Sequence, residues 1–222
     1  MFLKQLMTNH KVRIVSTLLF ASGLSVAMLC MRIIYTNQVT YIFLAGNLFL
    51  AWLPFTFALL AYYLRQSSWM LLLLSALWLL FLPNAPYLIT DLIHLHYSNS
   101  VPVWYDAIMM FSFALTGLLL GFLSLFLMQS LVVRRFGWRL GWLFVWVVLA
   151  LSGLGVYIGR FLRWNSWDIF TSPLTLLNSL LNPELFPKAF IVTALLSLIS
   201  TFAYVIMVSM PRLSLELVGD SK

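Results

Sequence analysis

Apolar runs of about 20 residues recur along this chain, and they constrain its fold more than any other feature. A helix needs about 20 such residues to cross a hydrocarbon core of roughly 30 Å, and lipid offers no partner to unpaired backbone groups. Only 9% of the 222 residues are charged, whereas soluble domains carry about 25%. The sequence therefore predicts an integral membrane protein made of α-helices, with the lipid bilayer as its first partner.

Six apolar segments predict an all-α, polytopic transmembrane bundle that forms one membrane domain over residues 1–222. They lie near residues 14–31, 41–63, 69–90, 103–133, 140–158 and 189–210. The third segment meets prolines after Leu82, so residues 83–95 either complete that span after a kink or lie at the membrane surface. No small-residue cleavage site follows the first segment, and we expect it to remain as an uncleaved helix.

The basic residues predict which way the bundle faces. Six spans place both termini on one side, and basic residues favour the cytoplasmic side. The terminal side would hold nine of them and the opposite side four: Lys4, Lys11, Arg13, Arg65, Arg134, Arg135, Arg139, Arg212 and Lys222, against Arg32, Arg160, Arg163 and Lys188. We therefore expect cytoplasmic termini in the cell (cytoplasmic or inner) membrane. The net charge of +7 is then topogenic, and no nucleic-acid partner is expected.

Polar side chains gather in the stretch Pro83–His94. On a helix that begins after Pro83, the residues Asn84, Tyr87, Asp91 and His94 fall within one quadrant of the surface. Asn84 suits a helix N-cap. Asp91 and His94 are three residues apart, which suits a divalent metal, a general base with its orienting partner, or a hydrogen-bonded pair at the membrane boundary. No full set of metal ligands is evident, so the sequence does not decide whether the protein binds a cofactor such as a divalent metal.

A second polar stretch follows the fifth segment and is rich in arginine and tryptophan. If it is helical, Arg160, Arg163, Trp164 and Trp167 share one face. Guanidinium groups suit phosphate or carboxylate, and indole rings suit a cation or a sugar ring. Anchoring at the membrane interface explains the same residue types. Asn165 and Asp168 also resemble an N-cap pair, and Asn165 is a further candidate for substrate binding.

Asp106 enters the fourth segment directly after Trp104 and Tyr105. The two aromatic residues are typical of a membrane interface, but a carboxylate entering a span needs a partner or water. Asp106 and Asp168 are therefore the other acidic candidates for a site that includes Asp91 and His94.

Three blocks of sequence resemble the signature blocks of a family of small multi-pass membrane proteins, a bacterial domain of unknown function. They are Leu-Pro-Asn-Ala-Pro-Tyr-Leu-Ile-Thr-Asp-Leu-Ile-His-Leu at residues 82–95, Trp-Tyr-Asp at 104–106 and Gly-Arg-Phe-Leu-Arg-Trp-Asn-Ser-Trp-Asp at 159–168. The resemblance implies a membrane location and a bacterial source. It implies no activity and assigns no catalytic residue.

Together these observations predict a polar pocket at the outer face that binds or modifies an anionic lipid headgroup or cell-envelope precursor. In this interpretation Arg160 and Arg163 hold the anion, and Asn84, Tyr87, Trp164, Asn165 and Trp167 contact the ligand. Asp91, His94, Asp106 and Asp168 would handle protons or orient the other groups. A transporter of small solutes or ions and a structural or assembly protein are the alternatives. Whether the protein is an enzyme, and which proteins it contacts, the sequence leaves open.

Overall fold

The structure, a computed structural model, describes residues 2–95, 101–164, 171, 174–175 and 186–219. Within these ranges the chain is all-α and has no strand. The helices are α1 (Phe2–Thr36), α2 (Phe43–Tyr63), α3 (Ser68–Phe81), α4 (Asn84–Thr90), a 3-10 helix (Asp91–His94), α5 (Val103–Phe136), α6 (Trp138–Phe161) and α7 (Phe186–Gly219).

Six helical segments in the described residues are long and apolar enough to cross a membrane, as the sequence predicts. They are Val12–Thr36, Phe43–Tyr63, Ser68–His94, Val103–Phe136, Trp138–Phe161 and Phe190–Met210. The third of these consists of α3, α4 and the 3-10 helix together. The stretch after Leu82 therefore continues the third apolar segment after a break, as α4 and the 3-10 helix.

The break between α3 and α4 follows from Pro83. Its ring occupies the place of a backbone N–H and clashes with the preceding turn, which ends α3 at Phe81. The sequence suggested Asn84 as the N-cap of α4, but in the structure its side chain does not cap this helix. Pro83 holds the N-cap position, and Asn84 Nδ2 instead donates to the Phe81 carbonyl at 3.0 Å. Asn84 thus satisfies a carbonyl that the break leaves without its helical partner.

The centre of the bundle is α5, which packs against α1, α2, α4 and α6, while α7 packs on α6. Its core includes Met109, Met110, Phe113 and Leu120, all fully buried. The outward faces of α1 and α7 carry large exposed apolar side chains, such as Phe20 and Phe190. Such faces suit contact with lipid, since lipid tails are as apolar as these side chains.

Successive spans run in opposite directions, so the bundle has two distinct ends. At one end, Tyr41 of the α1–α2 connection donates a hydrogen bond to the carbonyl of His94. At the other, the guanidinium of Arg134 lies 5.7 Å from the Tyr62 ring centroid. We call the first the His94 end and the second, after the arginine that follows Arg134, the Arg135 end. Which end faces the cytoplasm is a prediction from the basic residues alone.

Candidate functional site

Close helix contacts built on glycine fix the position of α4 between α5 and α6. A Cβ atom on Gly121 of α5 would lie 2.8 Å from the Ala85 side chain, and one on Gly155 of α6 would lie 2.4 Å from Pro83. The side chains of α4 therefore reach residues at the end of α6. Glycines four residues apart, at positions 117 and 121 and at 155 and 159, have the spacing that allows helices in membranes to approach closely.

Asp91 is the buried centre of the site, with 1% of its surface exposed. One carboxylate oxygen, Oδ2, accepts a hydrogen bond from Asn47 Nδ2 at 2.8 Å. The other, Oδ1, forms an ion pair with Nη2 of Arg160. Both oxygens thus have a donor, as an acidic side chain buried in a membrane bundle requires.

Arg160, in the last turn of α6, contacts several side chains of the stretch that follows Pro83. Its Nε donates to Thr90 Oγ1 at 2.9 Å, and its Nη1 lies 2.8 Å from His94 Nε2. The guanidinium carbon lies 4.3 Å from the ring centroid of Tyr87, a cation–π distance. We call this group, with Asn47, Tyr87, Thr90, Asp91, His94 and Arg160 as members, the Asp91 cluster.

The contact between Arg160 and His94 defines the hydrogen-bonding role of the imidazole. A guanidinium only donates hydrogen bonds, so Nε2 of His94 must accept and the ring proton must lie on Nδ1. The His94 side chain is exposed, whereas Asp91 is buried. The Asp91 cluster is therefore closed on its carboxylate side and open on its imidazole side.

Arg163 and Trp164 lie beyond the end of α6 and not on one helical face with Arg160. The helix ends at Phe161, and Arg163 has a φ of +58°, in the left-handed region that non-glycine residues rarely adopt. The backbone N–H of Trp164 then donates to the carbonyl of Ile158 at 3.3 Å. This turn leaves the Arg163 side chain exposed and Trp164 half-buried, next to Gly159.

Asp106 belongs to a different pair. Its oxygens accept from Nε and Nη2 of Arg32 at 2.7 and 3.1 Å, and both side chains are almost fully buried. Tyr41 lies between this pair and the Asp91 cluster: its ring centroid is 4.4 Å from the Arg32 guanidinium carbon, and its hydroxyl bonds the His94 carbonyl. The structure thus separates Asp106 from Asp91 and His94, although all three lie at the His94 end.

The remaining candidates lie outside the described residues. Asn165, Trp167 and Asp168 cannot be placed relative to the Asp91 cluster. Within the described part of the chain, no three His, Cys, Asp or Glu side chains come together in a group fit for a metal ion. The Arg160 guanidinium occupies the space between Asp91 and His94 that a shared divalent ion would need. This arrangement does not fit a metal.

Asn47, Thr90 and Arg32 take part in these networks although the sequence did not assign them to a site. Asn47 lies within an apolar span, where a polar side chain signals a bond to another helix; its partner is Asp91. Arg32 follows its span as an end marker would, and Thr90 is an ordinary helix residue. The signal that could have pointed to Arg32 is Asp106, because a carboxylate that enters a span needs a partner.

A comparison with protein-family models matches residues 47–208 to the family described as "Protein of unknown function (DUF1361)". The match covers most of the chain, including every member of the Asp91 cluster. A search of curated proteins found no match. Nor did a search of solved structures. The chain belongs to the DUF1361 family.

Proposed function

We propose that this DUF1361 membrane protein uses the Asp91 cluster to bind the anionic headgroup of a lipid or of a cell-envelope precursor. Arg160 carries the proposal. Of its five N–H groups, three have partners in the described residues, namely Thr90, Asp91 and His94. One N–H group on Nη1 and one on Nη2 remain, and two such donors suit two oxygens of a phosphate or carboxylate.

The contacts on the buried side hold Arg160 in a fixed orientation. Asn47 bonds Asp91, Asp91 pairs with Arg160, and the Tyr87 ring lies against the guanidinium. A binding group held in this way by packing and by its own hydrogen bonds loses little freedom when a ligand arrives. Asn84, by contrast, is engaged with the Phe81 carbonyl, and its contribution would be to the shape of the break.

Net attraction for an anion depends on Arg163. Asp91 neutralises Arg160, and His94 accepts a hydrogen bond as a neutral ring, so the Asp91 cluster itself has little net charge. Arg163 is exposed three residues beyond Arg160. Its left-handed backbone conformation costs about 1–2 kcal/mol in a residue with a side chain, and such strain often marks a functional position. Trp164 and Tyr87 would line the entrance.

The geometry favours recognition over catalysis. Both oxygens of Asp91 are engaged, and Nε2 of His94 uses its lone pair to accept from Arg160. Asp91 is buried away from a ligand, and His94 would have to give up its contact with Arg160 before Nε2 could remove a proton. Asp91 and His94 would therefore orient the cationic groups, and the proton-handling role predicted from the sequence becomes the second candidate.

The proposed location is the cytoplasmic membrane of a bacterium, with the His94 end outside. The support is the excess of basic residues on the side of the termini, together with the bacterial source implied by the signature blocks. With Cys30 replaced by serine, a cysteine in place of Ile93 should react with an impermeant reagent added outside. A cysteine in place of Gln66, exposed at the Arg135 end, should not. The reverse pattern would remove the envelope ligand from the proposal.

A structural role is the rival explanation of the same contacts. The bonds of Arg160 fasten the stretch after Pro83 to α6, and the bond from Asn47 to Asp91 fastens it to α2. A transporter is less well supported, since the ion pairs of the described spans lie near helix ends and transport sites typically lie near the bilayer midplane. A substitution at Arg163 distinguishes a binding role from a structural role, because Arg163 is exposed and lies outside the Asp91 cluster.

The test is the affinity for dihexanoyl phosphatidylglycerol, with dihexanoyl phosphatidylcholine as the neutral probe, measured on purified protein in a neutral detergent. Arg163→Ala should weaken binding of the anionic probe roughly two- to fivefold, the loss expected for one exposed charge. Arg135→Ala removes an arginine that is also exposed, at the other end of the bundle, and should have no effect. Equal affinities for the two probes, or equal losses in the two variants, would contradict the proposal.

A further inference from the structure

His94 is the exposed histidine of the Asp91 cluster, and its contact with Arg160 depends on its protonation state. It lies at the end of the 3-10 helix with its side chain exposed, whereas Asp91 is buried. An imidazole ordinarily gains or loses its charge between pH 5 and 8. In the neutral form, Nε2 of His94 accepts a hydrogen bond from Nη1 of Arg160 at 2.8 Å. A second proton on the ring takes that acceptor away.

Protonation separates His94 from Arg160. A charged imidazole has an N–H on both nitrogens and accepts no hydrogen bond, so two donors and two positive charges would meet across 2.8 Å. Like charges so close together repel each other. The ion pair with Asp91 and the bond to Thr90 hold Arg160 in place, and only 12% of its side chain is exposed. The exposed imidazole is therefore the group that moves, and Nη1 of Arg160 is left with two N–H groups for a ligand.

The groups around His94 do not cancel the charge that a proton would add. Within the described residues, the titratable and charged groups near it are two phenols and two ion pairs: Tyr41, Tyr87, Asp91 with Arg160, and Asp106 with Arg32. Each ion pair is neutral, and phenols are uncharged between pH 5 and 8. From α2 the imidazole meets the ring of Phe43, with the two centroids 5.4 Å apart. A proton on His94 therefore gives the Asp91 cluster one net positive charge.

We propose that His94 couples proton uptake to anion binding at the Asp91 cluster. The ring turns away from Arg160 and takes a proton from the solvent at Nε2. The site then has an added positive charge and a released N–H donor, and it binds the anion more tightly. Because coupling between two ligands is reciprocal, the bound anion in turn favours the charged ring. This inference rests on the function proposed above, since it concerns the same site and the same ligand.

The side chain of Arg160 reports the separation without any ligand. In protein labelled with ¹⁵N-arginine in neutral micelles, acidification from pH 8 to pH 5.5 should shift the Arg160 side-chain resonances, because Nη1 loses its acceptor. In His94→Gln they should stay in place, since glutamine keeps an acceptor and takes up no proton in this range. Arg32, buried in its pair with Asp106, should not respond in either protein. No Arg160 shift in the parent, or an equal shift in His94→Gln, would overturn the inference.

The affinity for dihexanoyl phosphatidylglycerol at the same two pH values tests the coupling itself. The phosphodiester of this probe is anionic at both. The parent should bind it about two- to fivefold more tightly at pH 5.5, the gain expected for one added exposed charge, and His94→Gln should bind it equally at both. His10→Gln and His96→Gln remove the other two histidines of the chain and should keep the pH dependence of the parent.

The outcomes distinguish this inference from the proposed function. A preference for the anionic probe over phosphatidylcholine that does not vary with pH would overturn the coupling and leave the anion site in place. A pH dependence that persists in His94→Gln, or that is lost in His96→Gln, would also overturn the coupling. Equal affinities for the two probes at both pH values would contradict the proposed function, and the coupling with it.

Discussion

Replacement of Asp91 by asparagine tests the buried ion pair on which the Asp91 cluster depends. Asparagine keeps the shape and one acceptor oxygen but removes the charge opposite Arg160. Removing one partner of a buried ion pair costs about 3–5 kcal/mol. The asparagine oxygen would recover roughly 1 kcal/mol as a hydrogen bond, and Arg160 keeps Thr90 and His94 as partners. We therefore expect the free energy of unfolding to fall by about 2–4 kcal/mol.

The assay is reversible unfolding in mixed micelles, with a double-mutant cycle over Asp91→Asn and Arg160→Gln. Because the two residues share one interaction, the double variant should lose no more than about 1 kcal/mol beyond Asp91→Asn alone. Ile93→Ala, an exposed change in the same 3-10 helix, is the control and should stay within about 0.5 kcal/mol of the parent. Additive losses, or an Asp91→Asn variant as stable as the parent, would refute the ion pair as a stabilising contact.

Three further changes test neighbouring features. Gly155→Ala should destabilise the fold by about 1–3 kcal/mol, since its Cβ would meet Pro83, whereas Gly46→Ala meets nothing within 4 Å and should be neutral or slightly stabilising; thermal unfolding compares them. Arg163→Gly should relieve the left-handed backbone and raise the unfolding free energy by about 0.5–1 kcal/mol while weakening the phosphatidylglycerol probe. His94→Gln keeps an acceptor for the Arg160 guanidinium and should unfold at the same temperature as the parent. His94→Lys places a second cation beside Arg160 and should unfold at a lower temperature.

The six spans could be predicted from the sequence because a bilayer leaves few options. Apolar length alone identifies a spanning helix, and no strand arrangement competes with it inside lipid. The break after Leu82 was visible for the same kind of reason, since proline cannot continue a helix. What the local pattern could not decide was whether the chain stays helical and in line with α3 after the break. That outcome depends on tertiary contacts with α5 and α6.

The Asp91 cluster could be predicted only in part. Tyr87, Asp91 and His94 were expected on one side of their helix, and all three contact Arg160 in the structure. Arg163 was expected on the same helical face as Arg160, but α6 ends between them. Asp106 was grouped with Asp91 because both lie at one end of the bundle. Its pairing with Arg32 is a contact between α1 and α5, and sequence spacing contains no information about such long-range partners.

Two pairs of glycines in the sequence mark helix faces that can pack closely. Gly117 with Gly121, and Gly155 with Gly159, have the spacing of close helix contacts in membranes. In the structure they face α4 and the proline that precedes it. Their spacing indicates close contacts on one face of α5 and of α6, and the structure shows that the stretch after Pro83 is enclosed between these two faces. Such enclosure places Asp91 in the interior and explains why it requires both Asn47 and Arg160.

The most direct test of the central claim is to observe the arginine side chains while the anionic probe binds. Protein labelled with ¹⁵N-arginine in neutral micelles is titrated with dihexanoyl phosphatidylglycerol, and side-chain resonances are assigned by single substitution. The account predicts saturable shifts for Arg160 and Arg163, with Arg135 unchanged. Shifts of equal size at Arg135, or no saturable shift at Arg160, would contradict it.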